Sequence, residues 1–155
     1  MKDLVLYQHW ASLMATGAKT IETRAWFTSY RGDLAICAGR TWDIVCSNCL
    51  GDLPIQQALR EMNTGGGRVG VEKRHLPFGK VLCVVQLDDV LPTETAKQRW
   101  RALYEEQQYF GDFTDGRFAW FTENLRPLRE PVPVTGRQGL FELPRDVELK
   151  VREQL

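Results

Sequence analysis

Apolar residues recur at two different periods along the chain, and the switches between them mark out the elements. Leu4-Val5-Leu6-Tyr7 is a short apolar run that predicts a first strand. Trp10, Leu13 and Met14 fall at i, i+3 and i+4, the spacing of one helix face. Gly17 is placed to stop that helix as its C′ residue. Thr20-Ile21-Glu22-Thr23-Arg24 alternates and is rich in β-branched residues, which predicts a second strand. Tyr30-Arg31-Gly32-Asp33 reads as a turn that leads into a buried strand over Asp33 to Ala38. Pro54 to Met62 reads as a helix with Asp52 as its candidate cap. Thr64-Gly65-Gly66-Gly67 reads as a linker, since it lacks the Gly-Lys-Ser/Thr of a phosphate loop. Val81 to Val90 is the longest predicted strand. Thr93 to Glu106 follows as a helix with Thr93 as its candidate cap. Phe118 to Thr122 and Leu140 to Leu143 are two more strands. Between them, Arg126-Pro127-Leu128 and Pro131-Val132-Pro133 must be extended or edge structure, because proline cannot donate to a sheet ladder.

Five to seven short strands with two or three helices result, and the two kinds do not alternate strictly. That argues against a doubly wound parallel sheet. The expected class is α+β: a small mixed β-barrel with two or three flanking helices. The length of 155 residues suits one domain over 1–155. Residues 40–77 read as an insertion, and 144–155 as a charged tail, helical or frayed.

Charge and cysteine usage narrow the function classes. Lysine plus arginine and aspartate plus glutamate are 20 each, so the formal net charge is zero. A neutral chain is a poor bulk binder of polyanions. The balance is uneven, however: residues 1–80 carry ten basic and seven acidic side chains, and residues 81–155 carry ten and thirteen. No apolar run approaches the roughly 18 residues of a membrane span, and the N-terminal run is too short for a signal-peptide core. The expectation is a cytoplasmic protein with reduced thiols and no membrane partner. Cys46-Ser-Asn-Cys49 has the spacing of half a zinc site, but no second pair follows, and His9 and His75 are the only histidines. No metal and no cofactor are expected. Cys37 and Cys83 sit in apolar runs and read as small buried hydrophobes.

The chemistry concentrates between Trp10 and Arg31. Residues two apart on a strand share a face, so Glu22 and Arg24 point the same way. Lys19 stands at the strand entrance, where its long stem reaches back over that face. Trp10 and Trp26 flank the set. A carboxylate can accept from an exocyclic amine, a guanidinium offers a fork to phosphate or carbonyl groups, and an indole offers a stacking face. Each piece also has a structural alternative. Glu22 and Arg24 can be an ion pair on a wet sheet face, Trp10 a core anchor, Ser12 an exposed helix residue and Arg31-Gly32 a turn.

Trp10-Ala11-Ser12-Leu13, the Gly-x-Lys-x-x-Glu-x-Arg run from Gly17 to Arg24, and Tyr30 to Ile36 together resemble the ASCH domain, a family of the PUA-like superfamily. Phe110-Gly111-Asp112-Phe113, Gly116 to Trp120, Asn124-x-Arg126-Pro127-Leu128 and Gly136 to Phe141 continue the resemblance in order. It runs from about Leu4 to Leu143 and is thin across 40–77. It implies a small β-barrel with a cleft beside Lys19 to Arg24, suited to RNA or a modified base. One branch of the family hydrolyses N4-acylated cytidines with a lysine and a hydroxyl residue three positions later. Lys19 matches that lysine, while Glu22 stands at the hydroxyl position. Many relatives carry histidine where this chain has Cys37.

The leading expectation is a binding domain for RNA, single-stranded nucleic acid or a modified nucleoside. Its expected ligand-binding residues are Trp10, Ser12, Lys19, Glu22, Arg24, Trp26, Tyr30, Arg31, Asn124, Arg126 and Gln138. The alternative is a hydrolase acting on RNA or an N4-acylated cytidine-type nucleoside, with Lys19 as base and Glu22 as acid or water orienter. A second alternative is a protein-interaction domain that uses the acidic second half and the prolines at 127, 131 and 133.

Overall fold

The computed structural model describes residues 1–60 and 71–155. Six strands form one sheet: β1 (Lys2–Leu6), β2 (Ile21–Arg24), β3 (Gly32–Ala38), β4 (Lys80–Pro92), β5 (Phe118–Pro133) and β6 (Leu140–Glu142). Their order is β2-β5-β4-β3-β1-β6. β1 runs parallel to β3 and the other neighbours are antiparallel, so the sheet is mixed. It curls into a half-barrel. The long β4–β5 ladder shifts register between Val81/Cys83, Val84/Gln86 and Leu87/Asp89, and such bulges bend and twist a strand.

Six short α-helices flank the sheet among the described residues, where the pattern predicts two or three. They are α1 (Trp10–Thr16), α2 (Ile44–Leu50), α3 (Leu53–Arg60), α4 (Thr93–Arg99), α5 (Arg101–Gln107) and α6 (Arg145–Arg152). The helix expected over Thr93 to Glu106 is two helices. Trp100 breaks it with φ −124° and ψ 46°, outside the helical region. Thr93 is not the cap. Pro92 holds that position, and the Thr93 hydroxyl donates to the Thr114 carbonyl at 2.9 Å instead. The helix predicted at Pro54 appears as α3; the predicted end at Met62 and the Thr64–Gly67 linker lie outside the described residues. Gly32 and Asp33, expected in a turn, already belong to β3. The prolines at 127, 131 and 133 sit within β5. β2 pairs only with Phe118 to Phe121, so they lie on an edge, the sheet position that tolerates proline. The C-terminal segment is helical, and α6 buries Val147 and Val151.

Both faces of the sheet are covered, which is why Leu34 to Ala38 reads as an unbroken apolar run. Leu34, Ile36 and Ala38 face Ala11 and Met14 of α1, together with Leu4, Leu6, Leu87 and Trp120. Ala35 and Cys37 face the other way, toward Val147 and Val151 of α6. Cys37 and Cys83 are buried, and desolvation pushes both thiols up, that of Cys83 to about 12. Leu13, on another side of α1, packs with Ile55 and Leu59 of α3. No helix among the described residues is long and apolar enough to cross a membrane.

Gly17 ends α1 at φ +83°, and its N–H donates to the Met14 carbonyl at 3.1 Å. This reversal sends the chain from α1 into β2. A Cβ there would strain the left-handed backbone and meet Leu125 at 3.2 Å. Gly17→Ala is expected to cost about 1–2 kcal/mol. Urea unfolding monitored by tryptophan fluorescence checks this.

Candidate functional site

Three contacts fix the entry to β2 before any functional side chain is placed. The Lys19 N–H donates to the Leu13 carbonyl at 3.0 Å, which ties the residue to α1. The Gln107 carboxamide accepts from Thr20 N–H at 2.8 Å and donates to the Ala18 carbonyl at 2.9 Å. The Thr20 carbonyl accepts from both Thr122 N–H (3.0 Å) and its hydroxyl (2.8 Å) on β5.

Lys19 then turns inward and is 2% exposed. Its ammonium donates to the Ile21 carbonyl at 2.7 Å, to the Phe110 carbonyl and to Glu22 Oε2 at 3.1 Å. An ammonium has three protons, and here each has an acceptor. Burial pushes the Lys19 pKa down, while the Glu22 carboxylate pushes it back up. A neutral amine would aim its lone pair at one of three oxygens. The three acceptors therefore hold the charged form.

Glu22, 7% exposed, reaches two cations. Its Oε1 lies 3.7 Å from Arg24 Nη1. Arg24 sits over the Trp26 ring at 5.7 Å, and Trp26 meets the buried Trp120 edge-on at 4.7 Å. On the other side, Lys19 Nζ lies 5.4 Å from the Trp10 ring centre. The strand spacing and the end of α1 thus put Lys19, Glu22, Arg24 and the two indoles in one continuous group, buried at Lys19 and Glu22 and partly open at Trp10 and at Arg24–Trp26.

That end lines a cavity of about 580 Å³. Val5, Leu6 and Tyr7 from β1 and its exit form one wall, and Arg40 and Thr41 beyond β3 form another. The segment from Thr135 to Gly139 completes it. Among the residues expected from sequence, Arg24, Trp26 and Gln138 line this cavity. Lys19 and Glu22 lie behind it. Ser12 and Trp10 lie on α1, with the Ser12 side chain fully buried. Arg31 turns away to Asp89 at 3.2 Å. Arg126 pairs with Asp33 at 2.5 Å. The Tyr30 hydroxyl donates to the Asp33 carbonyl at 2.5 Å, and the Asn124 amide donates to Gln86 at 3.0 Å. These four stand apart from the cavity lining.

Sequence reasoning missed Gln107, Arg40 and Arg137. Gln107 had no local signal, being one polar residue in a polar helix. Arg137 stood inside a quoted motif but carried no assigned role. Arg40 fell at the start of the segment read as an insertion. Cys46 and Cys49 both lie on α2. Among the described residues, no cluster of three or more histidine, cysteine or acidic side chains is placed to hold a metal.

His9 is a further buried polar group. It is fully buried, its ring lies tilted against Trp10 with centroids 4.1 Å apart, and neither ring nitrogen has a protein partner among the described residues. Desolvation, and then the Lys19 charge, lower its pKa from 6.5 to about 4. The folded state therefore binds fewer protons than the unfolded chain between these values. Stability present above pH 6.5 is lost as pH falls toward 4, by up to about 3 kcal/mol.

The family model for the ASCH domain matches residues 4–132. Activating signal cointegrator 1 from Mus musculus and from Homo sapiens are each 25% identical over 144 residues, 90% of this chain. The chain spans 22% of the length of these curated relatives. The crystal structure of ASCH from Zymomonas mobilis superposes with a TM-score of 0.58 at 16% identity, covering 98% of this chain and 93% of that one. At that identity the likeness concerns the fold.

Two outcomes test the site's physics. Glu22→Gln strands a buried ammonium and is expected to cost about 3–5 kcal/mol, whereas Lys19→Met/Glu22→Gln costs less than the sum of the single changes. Urea unfolding of the four proteins in the cycle reads this coupling. His9→Leu is expected to flatten the loss of stability between pH 7 and pH 4.5 relative to wild type, measured by the same unfolding at each pH.

Proposed function

The chain belongs to the ASCH domain family, and on that premise we propose that it is a binding module for single-stranded RNA or a modified nucleobase, held in the cavity that Arg24, Trp26 and Gln138 line. The observation that carries the reading is the open end of the buried group. A guanidinium and an indole reach a nucleotide-sized cavity while the charges behind them are fully engaged. Pockets of about 300–1,000 Å³ suit small ligands, and this one has about 580 Å³. Trp26 offers a stacking face, Gln138 an amide for base edges, and Arg24 a fork for carbonyl or phosphate oxygens.

The hydrolase reading draws support from one observation, the burial of Lys19, which lowers its pKa. A general base needs a free lone pair within reach of substrate. Lys19 spends its three protons on protein acceptors, and neither it nor Glu22 lines the cavity. Binding therefore ranks first.

Binding is expected to weaken by about 1–3 kcal/mol in Trp26→Ala, the usual worth of one base stack. Arg24→Gln is expected to weaken it as well. NMR titration with short single-stranded RNA and with N4-acetylcytidine checks this through resonances near Arg24 and Trp26. A salt slope of about −0.7 per phosphate contact is expected. If no resonance there responds to either probe, the reading is wrong.

A further inference from the structure

The cavity has a charge that its proposed base-binding groups do not use. Arg24, Arg40 and Arg137 line it and no aspartate or glutamate does, although the chain as a whole is neutral. Three arginines expected or found near the sheet close on carboxylates instead: Arg31 on Asp89, Arg117 on Asp112 and Arg126 on Asp33. Arg24 is partly answered by Glu22 at 3.7 Å. Arg40 and Arg137 make no ion pair among the described residues. They also border an adjoining cavity lined by Asp3, Glu142 and Asp146; there Arg137 lies over the Phe141 ring at 5.8 Å and its charge favours the Asp3 carboxylate without closing an ion pair.

The backbone beside Arg137 has the matching property. Among the described residues, the N–H groups from Thr135 to Gly139 donate to no protein acceptor. Gly136 lets this segment lie against β1, since a Cβ there would run into the Val5 side chain. Gly139 turns the chain into β6 at φ +105°. Five successive residues whose N–H groups have no protein acceptor, Arg137 among them and Arg40 just beyond β3, line one cavity, and such donors suit an anion.

We infer that Arg40, Arg137 and the Thr135–Gly139 backbone form a subsite for a terminal phosphate monoester, so that the ligand is a phosphorylated nucleotide or the phosphorylated end of a short single strand. This rests on the base-binding reading above and adds the other half of the ligand. The charge count selects the monoester. With Arg24 already partly neutralised by Glu22, the two guanidiniums without an ion pair among the described residues are Arg40 and Arg137, and Asp3 acts on Arg137 only at longer range. A terminal phosphate brings a charge of about −1.5 to −2 at neutral pH, whereas an internal phosphodiester brings one. Arginine forks suit the terminal oxygens of such a group.

The test uses three versions of one single-stranded RNA tetranucleotide containing all four bases: hydroxyl at both ends, phosphate at the 5′ end, and phosphate at the 3′ end. Affinity is measured by isothermal titration calorimetry with the whole chain. One phosphorylated form is expected to bind at least tenfold more tightly than the hydroxyl form, and which one does so gives the polarity of the strand. Arg40→Gln/Arg137→Gln is expected to abolish that preference while the hydroxyl form still binds. Both side chains are exposed, so the variant is expected to fold, and circular dichroism verifies this. Equal affinity for all three forms overturns the phosphate subsite and leaves base binding standing. A preference that survives the double substitution also overturns it. Failure of all three to bind overturns both proposals.

Discussion

A single buried ion pair organises this half-barrel. Lys19 and Glu22 meet at 3.1 Å with almost no exposure. Desolvating two charges costs several kcal/mol each, and their attraction offsets that only when the remaining donors and acceptors are also satisfied. Here the ammonium reaches the Ile21 and Phe110 carbonyls, and the carboxylate reaches Arg24. The pair joins the end of α1, the start of β2 and the segment that precedes β5, parts of the chain some ninety residues apart. Each of these must be in place for the charges to be compensated. That makes the pair a stringent condition on the local geometry rather than a large net source of stability.

The same condition shapes the proposed ligand chemistry. Because Glu22 is engaged by Lys19 from behind, it holds Arg24 in front, and Arg24 in turn lies over Trp26. The groups that reach the cavity are held by groups that do not. A preorganised guanidinium and indole lose less conformational freedom when a ligand arrives, which favours selective binding of a small target. Overall neutrality then has a clear meaning: the positive charge is local, within one cavity, and not spread as a track for a long polyanion.

Much of this was legible in the chain because it is local. The i, i+3, i+4 spacing of Trp10, Leu13 and Met14 and the stop at Gly17 define α1. The two-residue step from Glu22 to Arg24 puts both on one strand face. The ordered motifs from Trp10 to Phe141 indicate the family. What was not legible depends on distance or on competing local forces. Gln107 reaches Thr20 across 87 residues, and nothing in a polar helix announces which amide will be buried. Arg31 and Arg126 reach Asp89 and Asp33, which lie 58 and 93 residues away in the chain. The break at Trp100 defeats a helical pattern that is continuous in sequence. Arg40 and Arg137 converge only because β1, β3 and the segment before β6 end on the same side of the sheet.

The protonation state of Lys19 tests the central claim most directly. Nitrogen-15 and proton NMR of the lysine side-chain ammonium at neutral pH, in the free protein and with a short RNA added, reads it without perturbing the fold. The account predicts a charged Lys19 ammonium with slowly exchanging protons in both states, coupled to the Glu22 carboxylate. A neutral Lys19 amine at pH 7, or one that loses its proton when RNA is added, would contradict the scaffold role and restore it as a base for hydrolysis.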